Sequence, residues 1–321
     1  RPDYWLVLCA ALLMLVGMII VYSVGPQYAN LQNSAYGSDY SSTYFFFKQL
    51  MGISLAVSGF VLLILVPFDY LKKYIFQLMM IGIGLSFLLF LIGNILHVDA
   101  IAQNTLGAYR WFHLGPVNFQ PSELLKLAMT LYMAVFLGKR YQEGKINDLK
   151  ETVYPAAALV GFLLFIVVVL QKDMGSGVAI AAAAASIFMV STIRMKTLMQ
   201  IALVGLLFLG LTAVTAPHRL ERITTFFGAS KSASQDDNDY HIKNAMIALG
   251  TGGLTGRGIG KSIQSTGYLP EAINDSIFAV IGEIFGFAGT VLVVVLFAAL
   301  LLRVLRVAEY SPDMTRRLVV A

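Results

Sequence analysis

Three carboxylates crowd one short stretch of an otherwise apolar chain. The segment Tyr268-Leu269-Pro270-Glu271-Ala272-Ile273-Asn274-Asp275-Ser276-Ile277-Phe278-Ala279-Val280-Ile281-Gly282-Glu283 puts Glu271 and Asp275 at the mouth of an apolar run. Glu283 follows about two helical turns inside it. Ionisable groups at membrane depth are rare and mark a pathway or a site. A carboxylate held there can take the proton of a weak hydroxyl nucleophile, which is worth about 10²–10⁴-fold in rate, or it can hold a divalent cation. Asp275 is the residue expected to do so. On local sequence alone, the commoner role of Asn274 or Asp275 is to cap the helix that follows. Glu283 requires a proton, a partner or water.

Three further polar stretches have chemistry to offer. Gly107-Ala108-Tyr109-Arg110-Trp111-Phe112-His113-Leu114-Gly115 precedes Phe119-Gln120-Pro121-Ser122-Glu123-Leu124-Leu125-Lys126. Pro121 suits the first turn of a helix, and Glu123 is favoured near its positive end. Glu123 and Lys126, three apart, share a face. A structural ion pair and a polar cavity where Lys126 and Arg110 meet an anionic head group are equally compatible with this spacing. Tyr109, Trp111 and Phe112 read as membrane-interface anchors rather than sugar-stacking platforms. In the tight turn Gln171-Lys172-Asp173-Met174-Gly175-Ser176-Gly177, Asp173 reads first as a helix cap and second as a site residue.

The stretch Gly250-Thr251-Gly252-Gly253-Leu254-Thr255-Gly256-Arg257-Gly258-Ile259-Gly260-Lys261-Ser262 ends like a phosphate loop, but Thr255 stands where the motif requires its first glycine. No strand precedes it, so nucleotide binding is excluded. Glycine-rich backbone can still hold phosphate oxygens, with Arg257 and Lys261 adding charge for a lipid-borne pyrophosphate. A flexible turn has equal weight. His218, Arg219 and Arg222 open the same long loop and offer either positive charge or structure. There is no His/Cys metal cluster, no G-x-S-x-G and no Cys/His pairing.

The elements that must position these residues are helices in a bilayer. The chain is 58% hydrophobic and 13% charged, against roughly 25% charged for soluble domains. Eight apolar runs approach the length of a membrane-spanning helix: Tyr4–Val24, Leu50–Val66, Tyr74–Leu96, Glu123–Leu137, Tyr154–Leu170, Gly177–Ile193, Thr197–Ala216 and Ser276–Leu302. The fold expected is an all-α polytopic membrane protein. Lys and Arg cluster after the even-numbered runs (Lys72 and Lys73; Lys139, Arg140, Lys145 and Lys150; Arg194 and Lys196; Arg303, Arg306, Arg316 and Arg317), which makes that side cytoplasmic and the N-terminus cytoplasmic too. The net charge of +5 therefore reflects topology, and no nucleic-acid partner is implied.

The loops 25–49, 97–122, 171–176 and 217–275 then face outward. Within the last, Ser230–Tyr240 reads as a mobile polar tip and Ile242–Leu249 as a short amphipathic helix. Cys9, the lone cysteine, lies in the first run, so no intrachain disulfide forms. That run is too long for a signal-peptide core, and the start at Arg1 reads as a trimmed N-terminus.

Taken together and in this order, the four stretches resemble the SEDS family (shape, elongation, division and sporulation). Gly107–Lys126 is similar to its G-A-x-R-W…Q-P-S-E-L-x-K-L signature, and Gln171–Gly175 to its Q-x-D-L-G turn. Ile247–Gly260 resembles I-A-I-G-S-G-G-L-x-G-x-G-x-G, and Tyr268–Glu283 resembles Y-L-P-E-A-H-T-D-F-I-F-A-V-I-G-E-E. The Leu-Pro-Glu-Ala form is closest to the division and sporulation branch. Ile273-Asn274 departs from the usual His-Thr, Ser276 from Phe and Ile284 from the second Glu, while Asp275 keeps its place.

The resemblance implies a SEDS-type helix bundle with large extracellular loops, forming a single transmembrane domain over 1–321. The family usually has ten helices, so two are expected beyond the eight seen. It also implies a peptidoglycan glycosyltransferase that polymerises lipid II (undecaprenyl-diphosphate-linked disaccharide-pentapeptide) at the outer face of the cytoplasmic, or inner, membrane during septal wall synthesis. Membrane lipids surround it. Its implied partners are a class B penicillin-binding protein and bitopic divisome activators. Asp275 is then general base or metal-binding carboxylate, with a divalent cation (Mg or Mn) as cofactor. Arg110, Gln120, Glu123, Lys126, Gln171, Asp173, Arg219, Arg222, Arg257, Lys261, Glu271 and Glu283 are the implied substrate-binding residues. A lipid II flippase would use the same polar groups but needs access from both sides, whereas these lie on one. A non-catalytic divisome scaffold would leave Asp275 dispensable.

Overall fold

The computed structural model describes residues 3–98, 101–105, 108–114, 117–214, 235–269, 271–311 and 313–320. Among them are ten α-helices and one small sheet. The order is α1 (Tyr4–Tyr36), α2 (Tyr44–Leu65), α3 (Phe68–Phe90), β1 (Ala102–Thr105), β2 (Ala108–Leu114), β3 (Val117–Phe119), α4 (Pro121–Gln142), α5 (Tyr154–Leu164) and α6 (Met174–Val190). Then come α7 (Met195–Val214), α8 (Gln235–Gly252), α9 (Ile277–Glu309) and α10 (Met314–Val320). Each apolar run of the sequence contributes a helix among the described residues. Five helical segments are long and apolar enough to cross a bilayer: Tyr4–Ala35, Tyr44–Leu65, Phe68–Ile95, Leu149–Leu170 and Ile277–Glu309. The protein is a multi-pass helical membrane protein.

The chain divides into two compact units, Arg1–Leu65 with Ile223–Val304, and Val66–Arg222 with Leu305–Ala321. In the first, α1 begins where Asp3 accepts hydrogen bonds from Trp5 N (3.1 Å) and Leu6 N (3.3 Å), and ends at Gly37, whose φ of 66° stops the helix. It runs twelve residues past the expected end at Val24, through Pro26. Past Val24, Gln27 and Leu31 on this extension meet the glycine-rich segment at Ser265 and Gly267. α8 begins at Gln235, so 235–240 is helix and not the mobile tip expected; 230–234 lie outside the described residues. At its far end α8 meets α9 glycine to glycine: a Cβ on Gly252 would stand 1.9 Å from the Gly282 carbonyl oxygen. α9 breaks at Gly286, where φ is 67° and ψ −163°.

In the second unit α4 is the hub. Leu125, Met129, Met133 and Leu137, four apart, are fully buried in one stripe among Leu163, Ile166, Ile180 and Ile187 of the neighbouring segments. α10 packs where Gly138 leaves room: a Cβ there would lie 2.2 Å from Thr315 Oγ1. The loop expected at 97–122 contains an antiparallel sheet in the order β1-β2-β3, with Ala102 opposite Phe112 and Phe112 opposite Phe119. Tyr109 and Phe112 are buried with Leu89 and Ala102, so they are core residues and not interface anchors. Tyr109 lies against Gly93, where a Cβ would come within 2.3 Å of the ring. Such short strands, paired only with each other, leave little periodic signal in the sequence.

Candidate functional site

Two polar groups gather on these elements, one in each unit. In the second unit, π-helical turns over Phe165–Leu170 close α5 and deliver Gln171, Lys172 and Asp173 to the start of α6. Asp173 is the cap the sequence suggests, its Oδ1 accepting from Ser176 N at 3.0 Å. Its Oδ2 accepts from Gln120 Nε2 at 2.8 Å. One buried carboxylate thus ties the N-terminal ends of α4 and α6 together. Ser122 Oγ donates to Ser176 Oγ at 3.4 Å beside it. These two serines went unremarked as site residues, although each opens a helix.

Arg110, on β2, donates from Nη2 to the Lys172 carbonyl oxygen at 2.8 Å. Lys172 adopts φ of 54° to present it. Gln171 is only 1% exposed, yet among the described residues neither of its amide atoms has a hydrogen-bond partner, and Arg110 Nε is buried without one too. Buried polar atoms in native proteins find partners, from water or a ligand where the protein supplies none. One turn into α4, Lys126 and Glu123 pair at 2.7 Å, as their spacing predicts. Arg110, Gln120, Gln171 and Asp173 therefore cluster, with the Glu123–Lys126 pair on the adjoining turn of α4.

Removal of the shared carboxylate has a calculable effect. Asp173→Ala deletes a cap and strands a buried amide, and is expected to lower stability by about 2 kcal/mol. Thermal melting in detergent checks this. An unchanged melting temperature would show that Asp173 does not brace these helices.

In the first unit the turn before α9 is folded on itself. Asn274 N and Ser276 N donate to the Glu271 carbonyl oxygen at 2.9 and 3.1 Å, and Asn274 Nδ2 to Glu271 Oε2 at 2.6 Å. Glu271 takes φ of 51°. Leu269 and Ala272, both buried, pin the turn to the core. The cap position belongs to Ser276, whose carbonyl accepts from Ala279 N and Val280 N at 3.0 and 3.3 Å. Neither Asn274 nor Asp275 caps α9 with its side chain, contrary to the local reading. Asp275 is exposed, and among the described residues no hydrogen bond or ion pair engages its carboxylate.

Glu283 is the opposite case. It is 0% exposed and accepts from Ser262 Oγ (2.6 Å), Ile263 N (2.9 Å) and Gln264 N (3.2 Å). Arg257 Nη1 lies 3.9 Å away. The sequence treats Glu283 as a substrate contact; in the fold its carboxylate is enclosed by its own chain. Arg257 is half-buried and folded back on its own segment, with Nε donating to the Thr251 carbonyl oxygen at 3.4 Å. Lys261 is exposed and enters no ion pair among the described residues. His218, Arg219 and Arg222 lie outside the described residues. Among the described residues no three His, Cys, Asp or Glu side chains converge as a metal cage. The donors available for a divalent cation are the unengaged Asp275 carboxylate and Glu271. One or two carboxylates suit Mg²⁺, which keeps its remaining positions for water and substrate phosphates.

The sequence matches, over residues 3–321, a family described as cell cycle protein and defined by FtsW, RodA and SpoVE. The chain belongs to this family. It is 30% identical over 315 residues to stage V sporulation protein E of Bacillus subtilis, covering 98% of this chain and 81% of that protein. It is 32% identical over 304 residues to a probable peptidoglycan glycosyltransferase FtsW of Saccharophagus degradans, covering 94% and 74%. The fold matches that of a chain in a peptidoglycan synthase complex that coordinates polymerization and crosslinking, with a TM-score of 0.66 at 23% identity, over 99% of this chain and 81% of that one. Family membership agrees with the motif resemblance, and the shared fold with the expected helix bundle.

Proposed function

We propose that the protein is a peptidoglycan glycosyltransferase that polymerises lipid II at the outer face of the bacterial cytoplasmic membrane, in septal wall synthesis. The observation that carries this reading is Asp275. It holds the family's motif position, stands at the head of a membrane helix, and keeps an exposed carboxylate that no described residue engages. An acceptor sugar's 4-hydroxyl is a poor nucleophile, and Asp275 takes its proton as it attacks the donor's anomeric carbon. The bond to the lipid pyrophosphate breaks and the pyrophosphate leaves with the electron pair.

Cations stabilise that leaving group. The family resemblance gives cationic roles toward the head group to Arg110 and Lys126, and to Arg219, Arg222 and Lys261. Gln120, Gln171, Asp173 and Glu123 orient the head group. Alternatively, a divalent cation held by Asp275 or Glu271 would supply Lewis-acid neutralisation of the pyrophosphate charge. A class B penicillin-binding protein cross-links the product, and bitopic division proteins activate the pair. The glycosyltransferase activity for which the FtsW relatives are named supports the reading. Polymer formation from labelled lipid II tests it. Chelating divalent cations is expected to lower polymer yield, and added Mg²⁺ or Mn²⁺ to restore it; yield indifferent to chelator would remove the metal from the mechanism.

A further inference from the structure

We infer that Glu283 is a positioning residue: its buried carboxylate, with Ser262, latches the glycine-rich segment 253–269 onto α9 and so sets the pose of the turn that carries Asp275. The inference rests on the proposed role of Asp275.

Three observations converge. The first is saturation of the carboxylate itself. Ser262 Oγ, Ile263 N and Gln264 N all donate to it, Arg257 adds charge at 3.9 Å, and the side chain has no exposed surface. Charge-assisted bonds of this kind are about twice as strong as neutral ones. No acceptor capacity faces open space, so Glu283 holds protein and not ligand.

The second observation is the break in α9. Beyond Glu283 the helical ladder is interrupted at Gly286, and the glycine-rich segment fills the gap. Arg257 N and Gly258 N donate to the Glu283 and Ile284 carbonyls at 2.9 and 3.0 Å. In return Phe287 N and Ala288 N donate to the Gly253 and Leu254 carbonyls at 2.8 and 3.2 Å. Freed backbone groups in a membrane helix must be satisfied by protein, and this segment satisfies them. Gly256 makes the approach possible: with φ of 82°, it would place a Cβ 2.1 Å from the Ile284 carbonyl oxygen.

The third is the far side of the segment. Ser23 Oγ accepts from Gly260 N at 3.2 Å, Gln27 Oε1 accepts from Ser265 Oγ, and Leu31 packs on Gly267. Ser23, Gln27 and Leu31 are four apart, one face of α1. This is why α1 runs on past Val24. The segment is clamped between α1 and α9, and Leu269 N, bonded to the Gln264 carbonyl at 2.9 Å, passes that order to the turn at 271–276. Among the described residues Asp275 has no side-chain partner, so the backbone of this turn places its carboxylate. A misplacement of about 1 Å costs on the order of 10²-fold in such a reaction.

The test uses the full-length protein in complex with its penicillin-binding partner. It compares Glu283→Gln, Glu283→Asp and Ser262→Ala by hydrogen exchange over 256–267 and by steady-state polymerisation of lipid II. Glu283→Gln keeps the shape but loses the charge and turns an amide N–H₂ toward backbone donors. It is expected to raise exchange at Ile263 and Gln264 about tenfold or more and to lower kcat by roughly 10–100-fold, with KM within about threefold. Ser262→Ala, the milder change, is expected to shift both in the same direction by less, and Glu283→Asp to restore part of the rate.

Unchanged exchange in Glu283→Gln and Ser262→Ala would overturn the latch. Faster exchange with undiminished kcat, or a loss confined to KM, would overturn the positioning role. If Glu283→Gln fails to fold, Ser262→Ala decides by the same criteria. Should the wild-type complex make no polymer, the glycosyltransferase reading fails and takes the catalytic half of the inference with it, while exchange still decides whether the latch exists.

Discussion

Gly286→Ala is expected to leave little or no folded protein. With φ of 67° and ψ of −163°, Gly286 occupies a backbone region that only glycine enters without strain. A Cβ there would lie 2.3 Å from Gly256 N and 2.7 Å from the Leu254 carbonyl oxygen. The neighbouring backbone cannot retreat without breaking the bonds from Phe287 N and Ala288 N that close the gap in α9. Strain, clash and stranded membrane backbone together are expected to exceed about 4 kcal/mol, at the extreme of single-substitution effects. Gly59→Ala is the control, since a Cβ there meets nothing within 4 Å. Yield of monodisperse protein and its melting temperature measure the contrast. A Gly286→Ala protein that melts with the wild type would show that the break in α9 is not required.

Asp275→Asn is expected to have the largest effect on activity and almost none on the fold. The side chain is exposed and makes no hydrogen bond or ion pair among the described residues, so the change falls within the usual ±0.5 kcal/mol or so of surface substitutions. Asparagine matches its shape but cannot take the acceptor's proton, and the loss of a positioned base lowers rate about 10²–10⁴-fold. The pairing of an intact melting temperature with lost polymer separates this residue from Asp173, Gly286 and Glu283, which the fold itself uses.

Much of this was legible in the sequence. The eight apolar runs name helices because bilayer-length apolar runs admit few other structures. Asp173 as a cap and Glu123–Lys126 as a pair follow from spacing along one helix, where neighbours are fixed by geometry. The partners of Glu283 were not legible. They lie some twenty residues back, on a segment that returns to α9 only when a helix breaks at a single glycine, and nothing local announces that break. Ser23 and Gln27, polar residues four apart at the end of an apolar run, carried a signal that a stripe was wanted, but not for what. Capping by Asn274 or Asp275 failed because propensity cannot tell a cap from the last residues of a tight turn; Glu271, at positive φ, shifts the helix start to Ile277.

The central claim is that Asp275 performs glycosyl transfer. Its most direct test is glycan-chain formation from labelled lipid II by the purified full-length protein with its penicillin-binding partner, transpeptidase inactivated, comparing wild type with Asp275→Asn. The account predicts long polymer from the first and none above background from the second, at equal melting temperature. Equal polymer from both would contradict the role of Asp275, and no polymer from the wild type with activators present would contradict the glycosyltransferase reading itself.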